Sequence, residues 1–175
     1  MATSKRPNAL VGRPVEPLDA RAARAAALDA LARRDYASED LRVKLLQKGY
    51  DASVVLPLLD ALRDEKLIDD RRYLENFVAY HAARGQGPLR VRLDLRRHGL
   101  QGPVVEEYLN AYPEWIAQLK KARLKKFGAE APKNHADRQL QARFLGYRGF
   151  TSAQIRMALG FDVELGSDGS DTEET

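Results

Sequence analysis

Apolar residues recur along most of the chain at spacings of three and four, and the alternating apolar–polar runs that mark strands are missing. The pattern predicts nine helices in three sets: 21–34, 38–48 and 51–64; 69–83, 88–98 and 103–112; 114–127, 137–148 and 151–159. The ends are signalled chemically. Ser38, Asp51 and Thr151 suit N-caps, since a side-chain oxygen can accept from an unpaired amide of the first turn. Thr151 and Gln154 have the capping-box spacing. Pro88 and Pro103 suit the first helical position, where no amide donor is missed. Gly49, Gly99 and Gly149 suit the left-handed residue that closes the middle helix of each set.

Those three glycines are 50 residues apart, and their surroundings keep the same register. Four residues before each stands a leucine (Leu45, Leu95, Leu145), and one residue after stands an apolar side chain (Tyr50, Leu100, Phe150). Six after is β-branched (Val55, Val105, Ile155), and ten after is again leucine (Leu59, Leu109, Leu159). Lys48, His98 and Arg148 precede the glycines, and Ala27, Phe77 and Phe127 share a column upstream. A period of this length marks repeated supersecondary units. The expected fold is all-α, a tandem array of three three-helix repeats, elongated and curved, covering residues 19–66, 67–113 and 114–161. A unit of about 50 residues is marginal alone, so neighbours are expected to dock. The third is the least regular, with a longer Pro-containing link over 129–136 and Gly146 weakening its middle helix. Residues 1–18, with Pro7, Gly12, Pro14 and Pro17, read as a disordered arm, and 162–175 as a disordered acidic tail.

Charge sharpens the picture. The 175 residues carry 29 Lys and Arg against 25 Asp and Glu. Six of those acids lie in residues 161–175, which hold no Lys or Arg, so residues 1–160 have a surplus of ten positive charges. A basic body with an acidic tail suggests a polyanionic or acidic protein partner. The absence of cysteine removes disulfide scaffolds, thiolate zinc sites and cysteine nucleophiles. No run approaches the ~18 apolar residues of a membrane span, and the N-terminus lacks the apolar core of a signal peptide. The expected location is the cytoplasm.

The search for catalytic chemistry returns little. A Walker phosphate loop is absent, and Gly85-Gln86-Gly87-Pro88 reads as a turn opening a helix. His81, His98 and His135 show no ligand spacing. Asp69-Asp70 fits a helix N-terminus, where acids offset the dipole, better than a metal pair, since adjacent helical residues point about 100° apart. No metal, cofactor or catalytic residue is expected. The basic clusters carry more. Arg84, Arg90, Arg92, Arg96 and Arg97 are opposed locally only by Asp94. Lys120, Lys121, Arg123, Lys125 and Lys126 fall within seven residues with no acid, and Arg138, Arg143 and Arg148 continue the pattern. An ordinary solvated face explains any one cluster, since long cationic side chains also cover apolar surface. Their recurrence favours a groove for polyanion or acidic protein, and these thirteen residues are the candidate binding positions.

The motifs resemble the RecX family of bacterial regulatory proteins. The matching stretches are Arg34-Asp35-Tyr36-Ala37-Ser38-Glu39-Asp40-Leu41, Lys44-Leu45-Leu46-Gln47-Lys48-Gly49-Tyr50, Leu67-Ile68-Asp69-Asp70-Arg71-Arg72-Tyr73, Arg84-Gly85-Gln86-Gly87-Pro88, Leu95-Arg96-Arg97-His98-Gly99 and Phe144-Leu145-Gly146-Tyr147-Arg148-Gly149-Phe150. The likeness spans about residues 20–160; the arm, the tail and the 129–136 link fall outside its pattern. It implies tandem three-helix repeats that bind RecA recombinase and the RecA–single-stranded DNA filament; a monomer is expected. It further implies inhibition of strand exchange, ATP hydrolysis and co-protease activity, without catalytic residues, cofactor or membrane. Two other readings stand beside it. One is a basic helical-repeat module that binds DNA without RecA, because the middle helix, Gly turn and third helix loosely resemble a helix-turn-helix. The other is a nuclease using Asp69 and Asp70.

Overall fold

The computed structural model describes residues 16–160, and all regular structure among them is α-helical. The elements are α1 (Ala20–Leu31), α2 (Ser38–Gln47), α3 (Ala52–Asp64), α4 (Asp70–Ala83), α5 (Pro88–Arg97), α6 (Pro103–Ala111), α7 (Trp115–Phe127), α8 (His135–Tyr147) and α9 (Ser152–Leu159). They form three tandem three-helix repeats, which divide between Ile68 and Asp69 into two compact units.

The first unit holds α1–α3. Ala23 and Ala27 are fully buried, and their small side chains let α1 approach Leu41, Leu45, Val55, Leu59 and Leu62. Arg24 and Glu65, 2.6 Å apart, tie α1 to the end of α3. Most of the expected N-terminal arm and all of the tail lie outside the described residues. Of the arm, residues 16–18 are described, and the Pro17 carbonyl accepts from the Asp51 amide at 2.9 Å.

The second unit holds α4–α9 around one core, not two. Leu74, Val78, Val91, Leu95, Leu109, Trp115, Leu119, Leu145, Phe150 and Ile155 belong to a single buried cluster. Trp115 is buried, and its indole N–H donates to the Leu109 carbonyl at 2.8 Å, joining the start of α7 to the end of α6.

The 50-residue register has a physical cause. Gly49, Gly99 and Gly149 have φ of 98°, 75° and 89°. Behind each, the amide of the following residue donates to the leucine carbonyl five positions back: Tyr50 to Leu45 at 3.3 Å, Leu100 to Leu95 at 3.0 Å, Phe150 to Leu145 at 3.1 Å. The glycine amide donates to the residue three back, completing a Schellman motif in each copy. Leu45, Leu95 and Leu145 are fully buried, so one column fixes both the turn and the core.

Asp51 and Thr151 cap as expected, the latter in a full capping box with Gln154. Ser38 does not. Ala37 occupies the N-cap without a side-chain bond, and Ser38 is buried in the first turn, its hydroxyl accepting from Arg63 Nε at 3.3 Å. As the first helical residue, Ser38 already lies inside the turn whose amides an N-cap serves. In the third repeat α8 starts at His135, capped by Asn134, two residues before the expected start. Gly146 lies in its last turn, where its carbonyl accepts from the Gly149 amide.

The Gly85–Pro88 loop opens α5, and it also forms the seam between the second and third repeats. The Gly87 amide donates to the Arg148 carbonyl at 2.8 Å, and the Leu89 amide to the Gly149 carbonyl at 2.9 Å. A Cβ on Gly87 would overlap the Gly149 carbonyl and the Phe150 amide, and one on Gly149 would stand 2.5 Å from Arg90 Cβ. Gly85, at φ 76°, rests on Ala122 of α7.

Two predictions follow from this packing. Gly87 has φ −88°, which alanine adopts freely, so Gly87→Ala tests the close approach alone. We expect it to cost about 2–3 kcal/mol by overpacking, whereas Gly160→Ala, in the left-handed region at φ 71° and ψ 29° with open space around it, costs ~1 kcal/mol of backbone strain. Denaturant unfolding followed by Trp115 fluorescence compares them, and equal costs would remove the seam. In the first unit, hydrogen bonds from Arg42 to Glu39, from Ser53 to Asp51 and from Arg24 to Glu65 hold these carboxyls below their ordinary pKa. A depressed carboxyl stabilises the fold above the unfolded pKa of ~4 and loses that contribution as pH falls through the folded value. Acid unfolding of this unit is therefore expected below about pH 4, with a shallower transition by circular dichroism in Glu65→Gln.

Candidate polyanion and partner interface

All thirteen candidate cations lie in the second unit, which carries 17 Lys and Arg against 9 Asp and Glu over residues 69–160. Residues 1–68 carry 12 against 10. Helix geometry and ion pairing sort the thirteen into distinct groups.

Three of the four α5 arginines are ion-paired, two of them to one carboxylate. Arg90 and Arg97 both pair with Asp94, at 3.2 and 3.0 Å, and that carboxylate is only 14% exposed. Arg92 forms a two-pronged bond to Glu106 of α6, with Nε at 2.8 Å and the terminal nitrogen at 2.8 Å from the carboxylate oxygens. Arg96 is exposed and has no ion pair among the described residues. Glu106 is fourteen residues from Arg92, so local counting of acids overlooks it.

The α7 lysines differ. Lys120, Lys121, Lys125 and Lys126 are exposed and have no ion pair among the described residues. Arg123 turns inward, donating from Nε to Gln141 Oε1 at 2.8 Å and from its terminal nitrogen to the Glu130 carbonyl. Arg138 and Arg143 are exposed on α8.

One groove gathers cations from three helices. Its volume is about 420 Å³, and Arg84, Lys121, Lys125, Lys126 and Arg148 line it with Gln118, Phe144 and the Gly85 backbone; no acid lines it. Arg148 Nη1 donates to the Arg84 carbonyl at 3.1 Å, and its guanidinium lies 5.3 Å from the Phe144 ring centroid. Arg84 donates to the Tyr80 hydroxyl at 3.0 Å. The amide nitrogen of Gln118 donates to Glu114 at 3.2 Å, while its buried Oε1 has no partner. Gln118 was not singled out from the sequence, although it precedes Lys121 and Lys125 by three and seven residues on one helical face. Two tyrosines stand by the arginines: Tyr147, 91% exposed, adjoins Arg148 in the chain, and Tyr80 is 59% exposed.

The other candidates play local parts. The Asp69 carboxylate accepts from the Arg71 and Arg72 amides, each at 3.0 Å, as the N-cap of α4. His81 stacks on Phe77 at 4.1 Å, and His98 meets the same ring edge-on at 5.2 Å. Among the described residues no group of three or more His, Asp or Glu side chains is placed to hold a metal ion, and no helix is long and apolar enough to cross a membrane.

Fold and surface together define an all-α helical-repeat protein with its positive charge, among the described residues, concentrated in the second unit. Three family models match the chain: RecX, first three-helix domain, over 23–62; second three-helix domain, over 69–109; and third three-helix domain, over 113–159. The regulatory protein RecX of Halorhodospira halophila is 42% identical over 138 residues, 78% of this chain and 86% of that protein. That of Pseudomonas entomophila is 37% identical over 144 residues, 81% of this chain and 93% of that protein. The chain belongs to the RecX family. A crystal structure of RecX from Lactobacillus salivarius shares the fold with a TM-score of 0.70 at 19% identity, covering 81% of this chain and 95% of that one. A second crystal structure of regulatory protein RecX has a TM-score of 0.68 at 24% identity, covering 81% and 72%. The relatives are named regulatory proteins, which assigns this chain a regulatory role.

The pairing pattern makes the groups separable. Removing two free cations with Lys121→Gln and Lys125→Gln is expected to lower the log–log salt slope of polyanion binding by about 1.5, ~0.7–0.9 per cation. Arg90→Gln with Arg97→Gln, which also frees Asp94, is expected to change it by less. Titration against heparin at several salt concentrations checks the order, and equal slopes would erase the distinction.

Proposed function

We propose that the chain binds the RecA recombinase and its filament on single-stranded DNA, and inhibits recombinase, ATPase and co-protease activities, so regulating DNA repair and recombination. Membership of the RecX family carries this reading, because the family resemblance implies RecA as partner. The cationic groove adds to it. A nucleoprotein filament offers phosphate and acidic protein surface together, repeated at a fixed interval. A protein with several modest contacts then gains affinity through multivalency without one dominant site. Inhibition by such binding is steric and needs no catalytic group.

The second reading, a DNA-binding module acting without RecA, rests on Tyr147 and Tyr80. Exposed rings beside arginines suit the stacking of unpaired bases.

The purified chain, at or below equimolar ratio to RecA, is expected to suppress single-strand-DNA-dependent ATP hydrolysis. Charge reversal at Lys121 and Lys125 is expected to weaken binding to the filament at least tenfold with helicity unchanged. Unaltered hydrolysis at every ratio would overturn the proposal. Equal affinity for bare and RecA-coated DNA would favour the second reading.

A further inference from the structure

The most basic part of the sequence is followed directly by its most acidic part. The second unit is net positive by eight over residues 69–160, whereas residues 161–175 hold six acids and no base. The place where the described chain ends bears on their meeting. Gly160 closes α9 in a left-handed turn (φ 71°, ψ 29°), its amide donating to the Arg156 carbonyl at 2.8 Å. α9 packs on α7, the lysine-bearing helix. Its last residues, Ala158 and Leu159, line a groove of about 410 Å³ together with Lys120, Arg123 and Leu124 of α7 and Pro132 of the α7–α8 link. The groove combines apolar surface with cation: Leu124 is 52% exposed, and Lys120 has no ion pair among the described residues.

The residues that follow match this lining. Phe161-Asp162-Val163-Glu164-Leu165 alternates apolar and acidic positions. An extended chain with that alternation sets its apolar side chains on one face and its carboxylates on the other. The apolar face can cover Leu124, Pro132 and Leu159 while the carboxylates stay at the rim near Lys120. The ten residues beyond, with Asp168, Asp171, Glu173 and Glu174, reach up to ~33 Å when extended. The thirteen residues of α7 span ~20 Å. The tail therefore has the length to reach Lys121, Lys125 and Lys126 as well.

We propose that residues 161–175 dock on α7 of their own chain, with Phe161 and Val163 in the α7–α9 groove and the distal acids over the lysines, as a built-in competitor for the basic face. Tethering places the tail at an effective concentration in the millimolar range, so weak contacts suffice. Any polyanion or acidic partner then has to displace it, which sharpens the preference for ligands of high charge density and suppresses casual binding.

The test uses the full chain and no recombinase, so its failure is separable from failure of the function proposed above. Zero-length carbodiimide coupling in low salt, with the monomer isolated and the junctions mapped by mass spectrometry, is expected to join tail carboxylates to Lys120, Lys121, Lys125 or Lys126. The yield should exceed that at Lys44, Lys48 and Lys66 at least fivefold, and should fall severalfold in 1 M salt. A charge-neutral variant, Phe161→Ser with Val163→Ser, is expected to cut those junctions at least threefold. It should also tighten heparin binding at least twofold, although net charge is unchanged. Junctions spread evenly over all lysines, junctions found only in cross-linked dimers, or a variant indistinguishable from the parent would overturn the proposal.

Discussion

The second unit depends on two helix ends meeting. The N-terminus of α5 carries amides with no partner in their own helix, and the C-terminus of α8 carries carbonyls in the same position. The Gly87 and Leu89 amides donate to the Arg148 and Gly149 carbonyls, so each end satisfies the other. The positive pole of one helix dipole also meets the negative pole of the next. Backbones approach this closely only where no Cβ intervenes, which is the reason for glycine at both 87 and 149. The contact sets the end of α4 beside α7 and α8, and Arg84, Lys121, Lys125, Lys126 and Arg148 then share one groove. Without the seam these cations would lie on separate repeats.

Electrostatics divides the basic residues by what already holds them. Asp94 lies between Arg90 and Arg97 on α5 and serves both. A partner carboxylate or phosphate there competes with a sheltered internal one. Such pairs add little stability, on the order of 0–1 kcal/mol; their larger effect is to fix the arginines and weaken their field. The α7 lysines, strongly hydrated charges on flexible stems, suit contacts that are strong in sum and loose in geometry. Arg84 and Arg148 stand between these cases. Each is anchored by a hydrogen bond and an aromatic ring, 5.4 Å to Tyr80 and 5.3 Å to Phe144, and neither is cancelled by an acid among the described residues.

Much of the fold was legible in the sequence because it is encoded locally. A Leu-x-x-x-Gly-apolar signature specifies a Schellman turn within six residues, and three copies at one interval reveal three repeats. Capping boxes and N-terminal prolines are equally local. What escaped notice depends on partners distant in the chain. Ser38 looks like a cap, whereas the helix starts on it and its hydroxyl accepts from Arg63 of α3. Arg92 looks free until α6 brings Glu106 to it. Helical periodicity tells which face of a helix is buried but not against which neighbour, so it could not show that the second and third repeats share one core. The Gly-x-Gly-Pro loop illustrates both sides. Its proline announces a helix start, whereas its second glycine answers to a backbone more than sixty residues away.

Sharing a core between two repeats has a consequence for binding. Within the second unit, the backbones of α4, α7 and α8 hold fixed relative positions before any ligand arrives, so the backbone ordering that recognition demands of this unit is already complete. In its cationic groove the groups left to order are chiefly lysine side chains, which cost about 0.5–1.5 kcal/mol each to immobilise and can leave that cost unspent by staying mobile against a charged surface. A rigid frame bearing mobile charges discriminates poorly between anions of similar density and well between dense and sparse ones. Selectivity for one partner must then come from repetition and spacing of the target more than from any single pocket, and a regulator that has to be displaced when its task ends is better served by many weak contacts than by one strong site.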